Sequence, residues 1–65
     1  DVALLEVQKR LANAIRRLSE REQQILNMHY QEEFSFRTIA DILGVSAPRI
    51  SQLHTQALLR LRALL

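Results

Sequence analysis

Polar side chains with paired hydrogen-bonding groups lie close together in the C-terminal half of this 65-residue chain. Arg49 and Gln52 are three positions apart, a spacing that places both on one face of a helix. Arginine forms paired hydrogen bonds with the edge of guanine, and glutamine does so with adenine. The pair therefore predicts base reading in the major groove of DNA, with phosphate contact or plain solvation as the alternative for each side chain.

The residues around this pair extend the candidate surface. Arg37 and Ser46 are expected to hold phosphates, Ser51 offers a further hydroxyl, and Ala47 with Pro48 suits at most the methyl group of thymine. The full set of candidates for the DNA backbone or the groove edge is Arg37, Ser46, Ala47, Pro48, Ser51, Thr55 and Gln56.

Charge is distributed unevenly along the chain. Residues 1–33 carry five basic and six acidic side chains, whereas residues 34–65 carry four basic side chains and one acidic, so a net charge of −1 is followed by one of +3. A basic half favours a polyanionic partner such as DNA. A few solvated arginines would give the same balance.

Other chemistry has little support in the sequence. There is no cysteine, and His29 and His54 are far apart without a nearby acidic partner, so we expect no metal, no cofactor and no disulfide. A single glycine cannot form a phosphate-binding loop. Glu32 and Glu33 fall in a connection, which argues against a catalytic carboxylate pair. We expect an intracellular protein that is not an enzyme and has no membrane span.

Hydrophobic spacing and capping residues predict an all-α fold of four helices, near residues 2–18, 20–31, 36–43 and 47–64. Leu4, Leu11, Ile15 and Leu18 form the expected inner stripe of the first helix. Ser19 followed by Glu22 is a capping box that begins the second helix, and Ser35 caps the third.

The only glycine and the only proline mark a helix-turn-helix at about residues 36–64. Gly44 suits the left-handed residue that ends a helix, and Pro48 suits the first turn of the next one. Ala40 is small enough for a close helix crossing, and Ile50 and Leu53 hold the second helix on the first. An ordinary structural corner is the alternative to a DNA-binding motif.

Apolar residues outside the motif exceed what one helical stripe can bury. They either fill the core or form a protein-docking groove on the second and third helices. The candidates for such docking are Ile25, Leu26, Met28, Tyr30 and Phe34.

The order of these features resembles a known family. The stretch "LSEREQQILNMHY", then a helix-turn-helix, then "RISQLHTQALLRLRALL" is similar to region 4 of sigma-70 family RNA polymerase sigma factors. The stretch "SQLHTQALLRLR" is especially similar to the flagellar, or motility, type (FliA-like). The resemblance covers essentially the whole chain.

The resemblance implies a domain that binds the −35 promoter element through the second helix of its helix-turn-helix. It also implies docking on the flap of the RNA polymerase beta subunit and control by an anti-sigma factor of the FlgM type. Gln52 matches a base-contacting position, Arg49 a basic position facing DNA, and Ser46 a hydroxyl that touches phosphate. Ala47 and Pro48 replace the arginine–glutamate pair of housekeeping members, which favours an alternative sigma factor with a different −35 sequence.

Two other classes stay open at this point. The opening also resembles output domains of LuxR-type response regulators, although their tails usually end soon after this stretch. A helical protein-docking adaptor without DNA binding would suit the low net charge. In each case we expect one domain over residues 1–65, and the start at Asp1 suggests a piece of a longer protein.

Overall fold

A computed structural model of the chain describes residues 1–65 and contains four α-helices and no strand, as the sequence predicts. The third and fourth helices have the predicted bounds. The helices are α1 (Val2–Arg16), α2 (Glu20–Leu26), which continues as a π-helical turn (Asn27–Gln31), α3 (Phe36–Leu43) and α4 (Ala47–Leu64).

Three serines begin three of the four helices, each by accepting a hydrogen bond from a backbone N–H three residues on. Ser19 Oγ accepts from Glu22 at 3.1 Å, and Glu22 Oε1 accepts from the Ser19 N–H at 2.9 Å, which completes the predicted capping box. Ser35 Oγ accepts from Thr38 at 3.1 Å. Ser46 Oγ accepts from Arg49 at 3.2 Å. Each cap satisfies a donor that the first helical turn leaves free.

The first helix is shorter and less buried than its apolar stripe predicts. It ends at Arg16 rather than at residue 18. The N–H groups of residues 17 and 18 bond to carbonyls three residues back instead of four, and Ser19 must be extended to cap α2. Only the C-terminal end of α1 meets other helices, so residues 1–10 are all exposed. The expectation that Leu4 and Leu11 face inward is therefore wrong: they are 56% and 39% exposed.

The second helix does not stay α-helical to residue 31. Its last turn widens, so that the Glu32 N–H donates to the Asn27 carbonyl at 3.2 Å, five residues back. The Phe34 N–H then donates to the Met28 carbonyl at 2.9 Å. Glu33 takes a left-handed conformation with φ 59°. This turn holds the connection to α3 against the end of α2.

The main core joins α2, α3 and α4. Ile25, Ile39 and Ile50 come from the three helices and have no exposed surface. Ala40 and Leu53 complete this cluster, with the small Ala40 on α3 as the sequence predicts. Half-buried apolar residues surround it: Met28, Phe34, Phe36, Leu43, Val45 and Ala47.

A second, smaller core of Leu18, Leu26 and Ala57 holds the end of α1 against α2 and α4. Beside it lies a carboxylate: Glu22 has no exposed surface, and its Oε1 is 3.0 Å from Nη1 of Arg60 on α4. The Glu22 side chain therefore ties the beginning of α2 to the far half of α4.

The pKa of Glu22 lies below its ordinary value of 4.5. Burial alone would raise it, but the hydrogen bonds from Ser19, the charge of Arg60 and the nearby Gln56 amide outweigh that effect. The carboxylate is thus the favoured form in the folded protein.

Gly44 ends α3 in a left-handed conformation with φ 72° and ψ 32°. Its N–H donates to the Ala40 carbonyl at 2.8 Å, and the Val45 N–H donates to the same carbonyl at 3.0 Å. Ser46 is then extended, and α4 begins at Ala47 although this residue precedes a proline. The predicted turn between α3 and α4 is confirmed.

The Gly44→Ala variant should unfold more easily by about 1–2 kcal/mol, the cost of a left-handed L-residue. Space is not the cause, because a Cβ at this position would meet no atom within 4 Å. Chemical denaturation measures the change. Gly44→Asn is the matched control, with a smaller expected loss, and equal stability of Gly44→Ala and the parent would contradict the conformational explanation.

The depressed pKa of Glu22 predicts an acid-sensitive contribution to stability. In the unfolded chain the group titrates near 4.5, so the contribution is complete above that pH. It should disappear as the pH falls from 4.5 through the lower folded-state value. Melting temperatures between pH 6 and pH 3 should fall more steeply for the parent than for Glu22→Gln. Glu20→Gln alters an exposed carboxylate on the same helix and should keep the steep dependence; a steep fall in Glu22→Gln would refute this role.

Candidate nucleic-acid interface

The outer face of α4 presents the predicted base-reading residues to solvent. Ile50, Leu53 and Ala57 turn inward and fix the helix on the core, so the intervening positions point away from it. The exposed residues on the N-terminal half of α4 are Pro48, Arg49, Ser51, Gln52, Thr55 and Gln56.

Arg49 and Gln52 are not only neighbours but hydrogen-bonded to each other. Arg49 Nη1 donates to Gln52 Oε1 at 3.4 Å, one helical turn apart and on the exposed side. Both side chains have further N–H groups free to donate. The pair can therefore bind acceptors in a groove that receives this end of the helix.

The two expected phosphate-binding residues lie at the beginning of α3 and of α4. Arg37 lies in the first turn of α3 and is exposed. The Ser46 hydroxyl oxygen accepts from the Arg49 N–H as the cap of α4, which leaves its O–H free to donate. Capping and phosphate binding by Ser46 are therefore compatible.

Two of the predicted edge residues are less available than the others. Ala47 is half-buried and packs against the main core. The exposed Gln56 lies beside Glu22, whose pKa it helps to lower. We place the centre of the candidate interface at Arg49 and Gln52, one helical turn or less from Pro48, Ser51 and Thr55.

An aromatic cluster that sequence reasoning missed anchors α4 from the inner side. The Tyr30 hydroxyl lies 2.8 Å from His54 Nε2, and the His29 and Phe36 rings lie 5.4 and 4.9 Å from the His54 ring. His29 Nδ1 donates to the Phe34 carbonyl at 2.9 Å. The π-helical turn brings His29 and Tyr30 to α4, and no residue spacing in the sequence signals that widening.

The pKa of His54 is lowered by burial and by the neighbouring His29. The uncharged form of His54 is therefore the one that the folded protein favours. The His54 side chain is half-buried and bonds to Tyr30.

The candidate docking residues separate into two groups. Ile25 and Leu26 are buried, and Met28 and Phe34 are half-buried against the main core. Tyr30 alone among the five is exposed, at 56%.

An apolar groove lies beside the second helix but not on the third. It lies between α1, α2 with its π-helical turn, and α4, with a volume of about 740 Å³. Phe34 and Met28 do not line it, because both side chains pack against the main core. Its apolar lining comprises Leu11, Ile15, Leu26, Tyr30, Leu58 and Leu61.

The structure contains no group of three or more histidine, cysteine, aspartate or glutamate side chains placed to hold a metal ion. None of its helices is both long enough and apolar enough to cross a lipid bilayer.

The fold and the exposed face of α4 define a helix-turn-helix protein of the type that places its second helix in the major groove. Residues 14–63 match the family model described as "Sigma-70, region 4". The chain belongs to this family. This membership agrees with the resemblance to sigma factors and not with the LuxR-type alternative.

Named relatives agree with the flagellar type. The chain is 50% identical over 56 residues to RNA polymerase sigma factor FliA of Pseudomonas aeruginosa, covering 86% of this chain and 23% of that protein. It is 46% identical over 57 residues to FliA of Salmonella typhimurium, covering 88% and 24%. It is 42% identical over 60 residues to RNA polymerase sigma-D factor of Bacillus subtilis, covering 92% and 24%.

The chain thus spans about a quarter of the length of these relatives. No solved structure matches it significantly.

Proposed function

We propose that this chain is one domain that recognises the −35 element of promoters as part of a flagellar-type sigma factor, and so directs RNA polymerase to its start sites. The observation that carries the proposal is the exposed, hydrogen-bonded pair Arg49 and Gln52 on the second helix of a sigma-70 region 4 fold. The activity is binding without catalysis, in the bacterial cytoplasm where transcription occurs.

The first turn of α4 supports recognition of a −35 sequence different from the one that housekeeping sigma factors bind. Ala47 and Pro48 have no hydrogen-bonding side chain, and Ala47 packs toward the core. Base reading would begin at Arg49 and continue at Gln52, while Arg37 and the Ser46 hydroxyl hold the sugar–phosphate backbone. Fewer base contacts than in a housekeeping domain follow from this arrangement.

The groove between α1 and α4 supports a second contact of the same domain, with protein. An amphipathic helix is the usual occupant of an apolar groove of this kind. We assign this role to the flap of the RNA polymerase beta subunit, with a FlgM-like anti-sigma factor as a competitor for the same or a nearby surface. The name of the FliA relatives, RNA polymerase sigma factor, supports the polymerase as a partner, and the apolar lining of the groove supports a protein occupant.

The DNA-binding proposal predicts different effects for two exposed residues. Gln52→Ala should reduce the preference at one base pair by roughly 1–3 kcal/mol. Arg37→Ala should weaken binding to all sequences alike and lower the slope of log affinity against log salt by about one unit. Binding curves with a set of −35 duplex variants at several salt concentrations measure both.

Both variants change exposed side chains, so helical content and melting should match the parent. If Gln52→Ala leaves the preferences among −35 variants unchanged, Gln52 does not read bases. A chain without salt-dependent affinity for any duplex would instead be a protein-docking adaptor.

The docking proposal is tested by two adjacent leucines of α4. Leu58 lines the groove and is 40% exposed, whereas Leu59 is 62% exposed and does not line it. Leu58→Gln should weaken binding to a purified beta-flap fragment by about fivefold or more, because loss of a residue that anchors an interface costs more than about 1 kcal/mol. Leu59→Gln is the matched control and should bind as the parent does.

Melting curves separate docking from folding in this test. A Leu58→Gln chain that loses helical structure, or one that binds the flap as well as Leu59→Gln does, would contradict the assignment of the groove.

A further inference from the structure

The hydrogen bond between Arg49 and Gln52 has a consequence for which bases the domain selects; this inference rests on the proposed function. Arg49 Nη1 is 3.4 Å from Gln52 Oε1, and Gln52 makes no other side-chain hydrogen bond. At this length and exposure the bond contributes little to the stability of the fold. Its effect is on the orientation of the Gln52 amide before DNA arrives.

The direction of this bond is fixed by chemistry. A guanidinium group has donors and no acceptor, so only the oxygen of the amide can face it. The amide nitrogen of Gln52, which carries two hydrogens, must then point away from Arg49. The unpaired N–H groups of Arg49 and the NH₂ of Gln52 give the exposed surface far more donors than acceptors.

We propose that Arg49 sets the hydrogen-bonding face that Gln52 presents, so that the two residues read DNA as one donor-rich unit. Such a unit selects adjacent base pairs that offer acceptors in the major groove, namely N7 and O6 of guanine or O4 of thymine. Arg49 is thereby a specificity-determining residue for the base pair that Gln52 contacts, in addition to its own.

Adenine is the base that this arrangement disfavours at the Gln52 position. Paired recognition of adenine needs the amide oxygen to accept from N6 while the amide nitrogen donates to N7. In this chain the oxygen already faces Arg49. Removal of the guanidinium would release the amide to turn and would allow the adenine pairing.

The neighbouring residues leave this coupling undisturbed. Ala47 and Pro48, in the preceding turn of α4, carry no side-chain donor or acceptor. The only other hydrogen bond of Arg49 at this place is from its backbone N–H to Ser46 Oγ, which does not involve the guanidinium. Arg49 is the one residue whose side chain hydrogen-bonds to the Gln52 amide.

The test selects binding sites for the parent chain from a pool of DNA duplexes randomised over one helical turn. The Gln52 base pair is identified as the position whose preference disappears in Gln52→Ala. Arg49→Ala should change the preference at that same position by about threefold or more, in favour of adenine, because contacting residues are coupled by this order of magnitude.

Two further variants complete the experiment. Gln52→Glu keeps the acceptor that faces Arg49 but removes the amide donors, so it should lose the guanine or thymine preference, as Gln52→Ala does. Arg37→Ala should lower affinity and leave every preference unchanged, which separates a general loss of positive charge from the specific coupling.

Two results would overturn the inference. If Arg49→Ala alters only other positions and the Gln52 position keeps its parental preference, the residues read DNA independently. If the parent already selects adenine at that position, the amide is not held by Arg49 in the complex. In either case the parent chain still binds DNA with a sequence preference, so the proposed function stands. A parent chain with no salt-dependent affinity for the pool would overturn both the inference and the proposed function.

Discussion

The contact of Ile25, Ile39 and Ile50 is the constraint on which the rest of the structure depends. Each comes from a different helix, and none has exposed surface. Because Ile50 is fixed inward by this contact, Arg49 and Gln52 on the same helix are fixed outward. Gly44 and Ser46 make the sharp change of direction that allows α4 to meet the core at this angle. The outward position of the candidate DNA-binding residues is a geometrical consequence of the core.

Polar contacts then fix α4 along its length. Near its middle, His54 meets Tyr30, and farther on, Arg60 meets the buried carboxylate of Glu22. Tyr30 and Glu22 lie on α2 or the turn that continues it. The two contacts therefore set the rotation and position of α4 relative to α2. The candidate DNA-binding residues lie on α4, and α4 also lines the apolar groove together with α1 and α2.

The α3–α4 half of the fold follows from its sequence because each signal there acts locally. Ser35, Gly44 and Ser46 act on backbone groups within a few residues, and the structure has α3 and α4 with their predicted bounds. The exposure of Arg49 and Gln52 follows from helical periodicity, once Ile50 and Leu53 are known to face inward.

The structure of the α1–α2 half is harder to predict from its sequence, because tertiary contacts decide which of its residues are buried. Leu4 has the spacing of a core residue, but no helix reaches far enough to cover it. The π-helical turn has no local signal, and it decides that Met28 and Phe34 join the core while Tyr30 stays exposed. The pairing of Glu22 with Arg60 joins residues far apart in sequence, and spacing along the chain cannot reveal it.

The central claim is that the outer face of α4 enters the major groove of promoter DNA. Its most direct test is a titration of the isotope-labelled chain with a −35 duplex, in which NMR measures the chemical-shift change of each backbone amide. The account predicts that the largest changes fall on Arg37 and on residues 46–56, and that the amides of residues 2–10 stay unchanged. Changes concentrated around Leu11, Tyr30 and Leu58, with residues 46–56 unaffected, would place the DNA at the apolar groove and contradict the account.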